Sequence, residues 1–121
     1  MPLTLEHVFA DLGGVPGDRL GDTQALAGLL LAAANAAGLN PAHPPIVKSG
    51  PRGTTALLVC HGGHVALHAV PADGLCFADV AGLSAAVQRG LDVIIKRLGA
   101  RSLRTDARRR GPVTTLQPEN P

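Results

Sequence analysis

Apolar and polar positions alternate from Leu5 to Leu12 as in a strand, and Gly13-Gly14-Val15-Pro16-Gly17 turns the chain. Asp22 or Thr23 then caps a helix running to about Ala37, with Leu26, Leu29, Leu30 and Ala33 at helical spacing. Gly38 is placed as its stop, and Asn40-Pro41 prevents continuation. Ile46 to Ser49 reads as a short strand, Gly50-Pro51-Arg52-Gly53 as a turn, and Thr54 to Cys60 as a stronger strand. After the turn His61-Gly62-Gly63, the run His64 to Val70 sets His64, Ala66, His68 and Val70 on one face and Val65, Leu67 and Ala69 on the other. This is the clearest hairpin in the chain. Pro71 to Gly74 is a further turn, Leu75 to Val80 a short strand, and Leu83, Val87, Leu91, Ile94, Ile95 and Leu98 mark one face of a second long helix that Gly99 ends. Ser102 to about Arg108 is the last expected strand. Residues 111–121, with Pro112, Pro118 and Pro121, read as a flexible tail. The pattern predicts an α+β, two-layer sandwich in one domain over residues 1–110: an antiparallel sheet with two long helices packed on one face.

Composition narrows this picture. With 121 residues, 45% of them hydrophobic, the chain builds one modest core. Two Phe and no Trp or Tyr make that core aliphatic and leave few rings for stacking on bases, which argues against a nucleic-acid platform. Cys60 and Cys76 have neither the number nor the spacing of a disulfide framework, and Cys60, approached through Leu57-Leu58-Val59, reads as a buried inert thiol. The first residues show no basic start and apolar stretch of a secretory leader, and the apolar run Ala25 to Ala37 is too short for a bilayer, so the expected location is the cytoplasm, away from membranes. The formal charge of +2 is uneven: residues 1–100 hold six Lys/Arg against seven Asp/Glu, and 101–121 hold five Arg against two acids. Arg108-Arg109-Arg110 reads as a solvated end.

Cys60-His61-Gly62-Gly63-His64-Val65-Ala66-Leu67-His68-Ala69-Val70-Pro71-Ala72-Asp73-Gly74 resembles the central signature of the bacterial S-adenosylmethionine decarboxylases, roughly E-S-H-[LI]-[ST]-I-H-T-W-P-E-x-G, with both His, the Pro and the Gly in register. Asp79-Val80 resembles the family's D-[VL] pair, Pro51 with Gly53-Thr54-Thr55 its P-x-G-V-S run, and His7 with Asp11 its opening H-L-x-A-[DE] strand. The likeness covers about residues 3–108. It implies the same two-layer fold, a dimer, and a proenzyme that cuts itself before a serine to make a pyruvoyl group. That carbonyl forms a Schiff base with the substrate amine and accepts electrons as carbon dioxide leaves, in a route to spermidine and spermine.

The chemistry-bearing positions depart from the family. Gly63 stands at the serine, so the resemblance implies no pyruvoyl cofactor here, and Gly62 replaces the glutamate before the cut. Leu83 falls at the cysteine that donates a proton to the decarboxylated intermediate. Among substrate-facing positions, Val70 stands for the Trp, Ala72 for the glutamate that holds ribose hydroxyls, and Ser49 for the aromatic that stacks on adenine. His68 and Thr55 match the His and Ser that assist processing. Asp11 and Asp79 read as solvated or capping carboxylates. The leading expectation is a non-cleaving homologue that acts through binding or assembly, as a homodimer or a mixed dimer with a paralogue, with a small-molecule ligand open. An active decarboxylase of S-adenosylmethionine or an amino acid is the first alternative. The second is a metal-binding module on His61 and His64, which flank one turn, whereas His64 and His68, four residues apart on a strand, lie roughly 13 Å apart.

Overall fold

The computed structural model describes residues 3–116. Among these residues the strands are β1 (Leu5–Gly13), β2 (Asn40–Pro41), β3 (Ile46–Gly50), β4 (Gly53–His61), β5 (Gly63–Val70), β6 (Leu75–Gly82) and β7 (Ser102–Arg110). The helices are α1 (Gly17–Gly21), α2 (Thr23–Ala36) and α3 (Val87–Leu98), with a 3-10 turn at Pro71–Asp73. One antiparallel sheet runs β2-β4-β5-β6-β1-β7, and β3 shares the outer edge of β4 with β2. This is the expected α+β sandwich.

Strand alternation sorts the two faces. Val8, Ala10 and Leu12 of β1, Ala56 and Leu58 of β4, Val65, Leu67 and Ala69 of β5, and Cys76, Ala78 and Val80 of β6 are all buried. They meet Leu26, Leu29, Leu30 and Ala33 of α2 and Leu91, Ile94 and Leu98 of α3, and each large aliphatic side chain so buried contributes about 1.5–3 kcal/mol. Asp22 caps α2, its Oδ1 accepting from the Ala25 amide at 3.0 Å. Gly38 (φ +72) and Gly99 (φ +65) take the left-handed conformation that ends α2 and α3.

Three departures from the expected pattern have local causes. Residues 17–21 form α1, a single turn after Pro16, anchored by fully buried Leu20 and by Arg19, whose guanidinium donates to the carbonyls of Arg97 and Leu98 at 3.3 Å each. The second long helix starts at Val87 instead of Leu83, because β6 continues to Gly82 and Ser84 folds the next residues into a turn. The Ser84 hydroxyl donates to the Ala37 carbonyl at 2.7 Å and accepts from the Ala86 amide at 3.1 Å. The last strand runs to Arg110, so Arg108-Arg109-Arg110, solvent-exposed as expected, belongs to the sheet edge. Residues 111–116 have no regular structure, and the rest of the expected tail, 117–121, lies outside the described residues. No helix among the described residues is long and apolar enough to cross a membrane.

Candidate functional site

Every second strand residue points away from the helices, and among the described residues no helix covers that face. Side chains of His7, Phe9 and Asp11 (β1), Phe77 and Asp79 (β6), Ala66 and His68 (β5) and Thr55 (β4) line a shallow depression of about 450 Å³ there. A larger groove of about 570 Å³ lies between α1, α2 and the end of α3, but it contains none of the residues singled out for chemistry. The open sheet face is therefore the candidate site.

Register creates its first cluster. Phe9 pairs with Asp79 and Asp11 with Phe77 across β1 and β6, while His7 and His64 both stand opposite Ala81 from either side. Asp79 is thus reached from two strands: His7 Nε2 donates to its Oδ1, and His64 Nε2 lies 3.7 Å from Oδ2. The His7 ring also tilts against Phe9, with centroids 5.5 Å apart. The three groups are half-exposed, so His64 and Asp79 form an ion pair worth at most about 1 kcal/mol when His64 is protonated. Sequence alone predicts a solvated or capping carboxylate at Asp79. The structure makes it the shared acceptor of two imidazoles, a pairing invisible along the chain because His7 and Asp79 are 72 residues apart.

The second cluster is Thr55 with His68, register partners on β4 and β5, with Oγ1 and Nδ1 2.7 Å apart. In the tautomer protonated on Nε2, the hydroxyl donates to Nδ1 and leaves Nε2–H facing the depression.

The third group sits at the other end of the hairpin. Gly62 turns the chain with φ +73, its carbonyl accepts from the Leu83 amide at 2.9 Å, and the Leu83 side chain covers it. Gly63 pairs with Cys60 on one side and Gly82 on the other. A Cβ at Gly63 would fall well inside contact of the Ala81 carbonyl oxygen and 2.8 Å from the Gly82 Cα, so β5 and β6 approach too closely there for any side chain. The structure brings Gly62, Gly63 and Leu83 together. His68 is five residues along β5 from Gly63, about 17 Å, so the two sets do not form one constellation within a chain.

Of the remaining positions, Val70 ends β5 and Ala72 lies in the 3-10 turn, both near His68. Ser49 does not join them: its hydroxyl is 2.9 Å from Thr54 Oγ1, on the helix-side face. His61 ends β4 opposite Asn40, while His64 belongs to the Asp79 cluster. Among the described residues no three His, Cys, Asp or Glu side chains are placed to hold a metal ion.

Both cysteines are buried on the helix side. Burial pushes both thiols up, Cys76 to about 12, which disfavours the thiolate a nucleophile needs. We expect native protein at pH 8 to leave Cys76 unlabelled by iodoacetamide over hours, with full labelling on unfolding; rapid native labelling, followed by mass spectrometry, would contradict this burial. The unfolded thiol ionises near 9.0 while folded Cys76 keeps its proton to about 12. This group's contribution to stability is therefore present below pH 9 and lost as pH rises through that window, by up to about 1.4 kcal/mol per pH unit.

The S-adenosylmethionine decarboxylase family model matches residues 6–111. The S-adenosylmethionine decarboxylase proenzyme of Aquifex aeolicus (strain VF5) is 28% identical over 109 residues, spanning 88% of this chain and 81% of that protein. The crystal structure of the adenosylmethionine decarboxylase from Aquifex aeolicus VF5 superposes with a TM-score of 0.82 at 25% identity, covering 98% of both chains.

Proposed function

Because the chain belongs to the S-adenosylmethionine decarboxylase family, we propose that it is a non-cleaving member that works by binding and assembly on the open sheet face, in the cytoplasm, without a pyruvoyl group. The observation that carries this reading is the glycine at position 63, packed so closely against Ala81 and Gly82 that neither a hydroxyl nor the carbon to bear it has room. A pyruvoyl group therefore does not fit the residues present. Leu83 beside Gly62 adds a second loss, since a leucine side chain has no proton to give. What this chain's residues do offer is polar and aromatic: Asp79 between two imidazoles, the His68–Thr55 pair, and the rings of Phe9 and Phe77, a surface for a small ligand with an apolar body and hydrogen-bonding groups.

Assembly is part of the reading. Val59, Phe77 (45% exposed) and Leu83 (48% exposed) border the open face, more apolar surface than a lone sheet face favours. A second copy, or a paralogue, laid antiparallel across it buries these side chains and brings the His68 end of one protomer near the Gly63 end of the other. With a paralogue that retains the serine, this chain would supply His68 and Thr55 to a site it cannot complete itself.

The test pairs the intact mass of purified protein with carbon dioxide release from S-adenosylmethionine. The expected outcome is one uncut chain near 12.3 kDa and no release. Two fragments split near residue 62 or 63, or clear turnover, would show a working decarboxylase and overturn the proposal.

A further inference from the structure

β7 ends the sheet, pairing with β1 along one edge, and among the described residues no strand pairs with its other edge. It is nine residues long and exposed at every position. An edge of this length is a template for another strand. Its charge is one-sided: residues 101–110 hold Arg101, Arg104, Arg108, Arg109 and Arg110 against a single acid, Asp106.

The register divides these arginines. Arg109 stands opposite Glu6 and is satisfied by it, Nε donating to Oε1 at 2.8 Å. Arg104, Arg108 and Arg110 stand opposite Asp11, His7 and Leu5, on the open face, and among the described residues none of them has an ion-pair partner. Three unpaired guanidinium groups thus line one face of a free edge, at intervals of two residues or a multiple of it, the period of a strand.

That charge pattern selects the occupant. A second copy pairing β7 with β7 antiparallel about Asp106 would set Arg104 against Arg108 and Asp106 against itself, and like charges directly opposite are destabilising. Single-stranded nucleic acid needs rings to stack its bases, and Phe9 and Phe77 lie on β1 and β6. We propose that the β7 edge takes up an extended acidic segment of another protein by strand addition. Main-chain hydrogen bonds supply the strand, and carboxylates at alternate positions meet Arg104, Arg108 and Arg110, with a neutral or basic residue opposite Asp106.

The test uses the full chain and a labelled peptide as long as β7 that alternates glutamate with valine except for a serine at the position opposite Asp106, followed by fluorescence anisotropy and amide hydrogen exchange. The expected results are saturable binding that weakens with salt, slowed exchange along Ser102–Arg110, and a loss of about tenfold in affinity in the R104E/R108E/R110E variant, as three exposed ion pairs provide. Should the triple variant misfold by circular dichroism, R108E alone and the lysine–valine peptide carry the comparison, each expected to bind more weakly. Equal binding of the lysine peptide, absence of binding, no slowing of exchange along β7, or tighter binding of a single-stranded RNA of matched length would each overturn the proposal.

Discussion

Replacing Gly63 by serine yields a protein that stays in one piece, releases no carbon dioxide from S-adenosylmethionine, and is less stable than its parent by about 1–3 kcal/mol. The substitution supplies the hydroxyl that self-cleavage needs, yet it must first seat a Cβ against the Ala81 carbonyl oxygen and the Gly82 Cα, both backbone atoms of β6. Backbone cannot rotate away as a flexible side chain does, so β5 and β6 have to part at the position where Gly63 and Gly82 are paired. The variant thus spends its new group on strain, and Leu83 still covers the turn at Gly62. Intact mass and a urea titration decide the matter together. A processed variant with unchanged midpoint would mean that the strands at this end open easily, and that the absence of one hydroxyl is all that separates this chain from the cleaving enzymes.

That prediction draws on both sequence and structure, and the division between them is physical. The hairpin His64 to Val70 was legible because a period of two assigns faces without knowledge of any partner, and burial follows it: Val65, Leu67 and Ala69 are inside, His64 and His68 outside. The caps at Asp22, Gly38 and Gly99 were legible for the same local reason. Leu83 fitted the apolar spacing of α3, but a Ser84 hydroxyl bonding to the end of α2 decides where the helix begins, and that bond spans 47 residues. That the exposed Arg108-Arg109-Arg110 belongs to the sheet edge was not legible, because its partner strand, β1, lies about a hundred residues earlier in the chain. In the site, the signature placed Gly62, Gly63, Leu83, His68 and Thr55 in sequence. Only the strand geometry separates them into two groups at opposite ends of β5, and only the register gathers His7, His64 and Asp79.

One pair of helix glycines carries opposite expectations from the same chemical change. Gly28, inside α2, has nothing within 4 Å of where a Cβ would sit, so Gly28→Ala replaces a poor helix former at no steric cost and stabilises by about 0.5–1 kcal/mol. Gly90, inside α3, is different. A Cβ there would lie 2.7 Å from the Ala33 carbonyl oxygen and 2.9 Å from the Ala37 Cβ, both on the neighbouring α2 segment, so its absence is what lets the two helices lie against each other. Gly90→Ala gains the same propensity and loses more to overpacking, for a net cost of about 1–2 kcal/mol, and Gly90→Leu costs about 3 kcal/mol. Since α2 and α3 together cover the buried face of the sheet, forcing them apart loosens Leu30, Leu91 and Ile94 at once. Thermal unfolding of the three variants gives the ranking directly: Gly28→Ala above the parent, Gly90→Ala below it, Gly90→Leu lowest. If Gly90→Ala instead matched Gly28→Ala in raising the midpoint, the helix layer would be loose enough to absorb a methyl group, and the packing of α2 on α3 described above would be wrong.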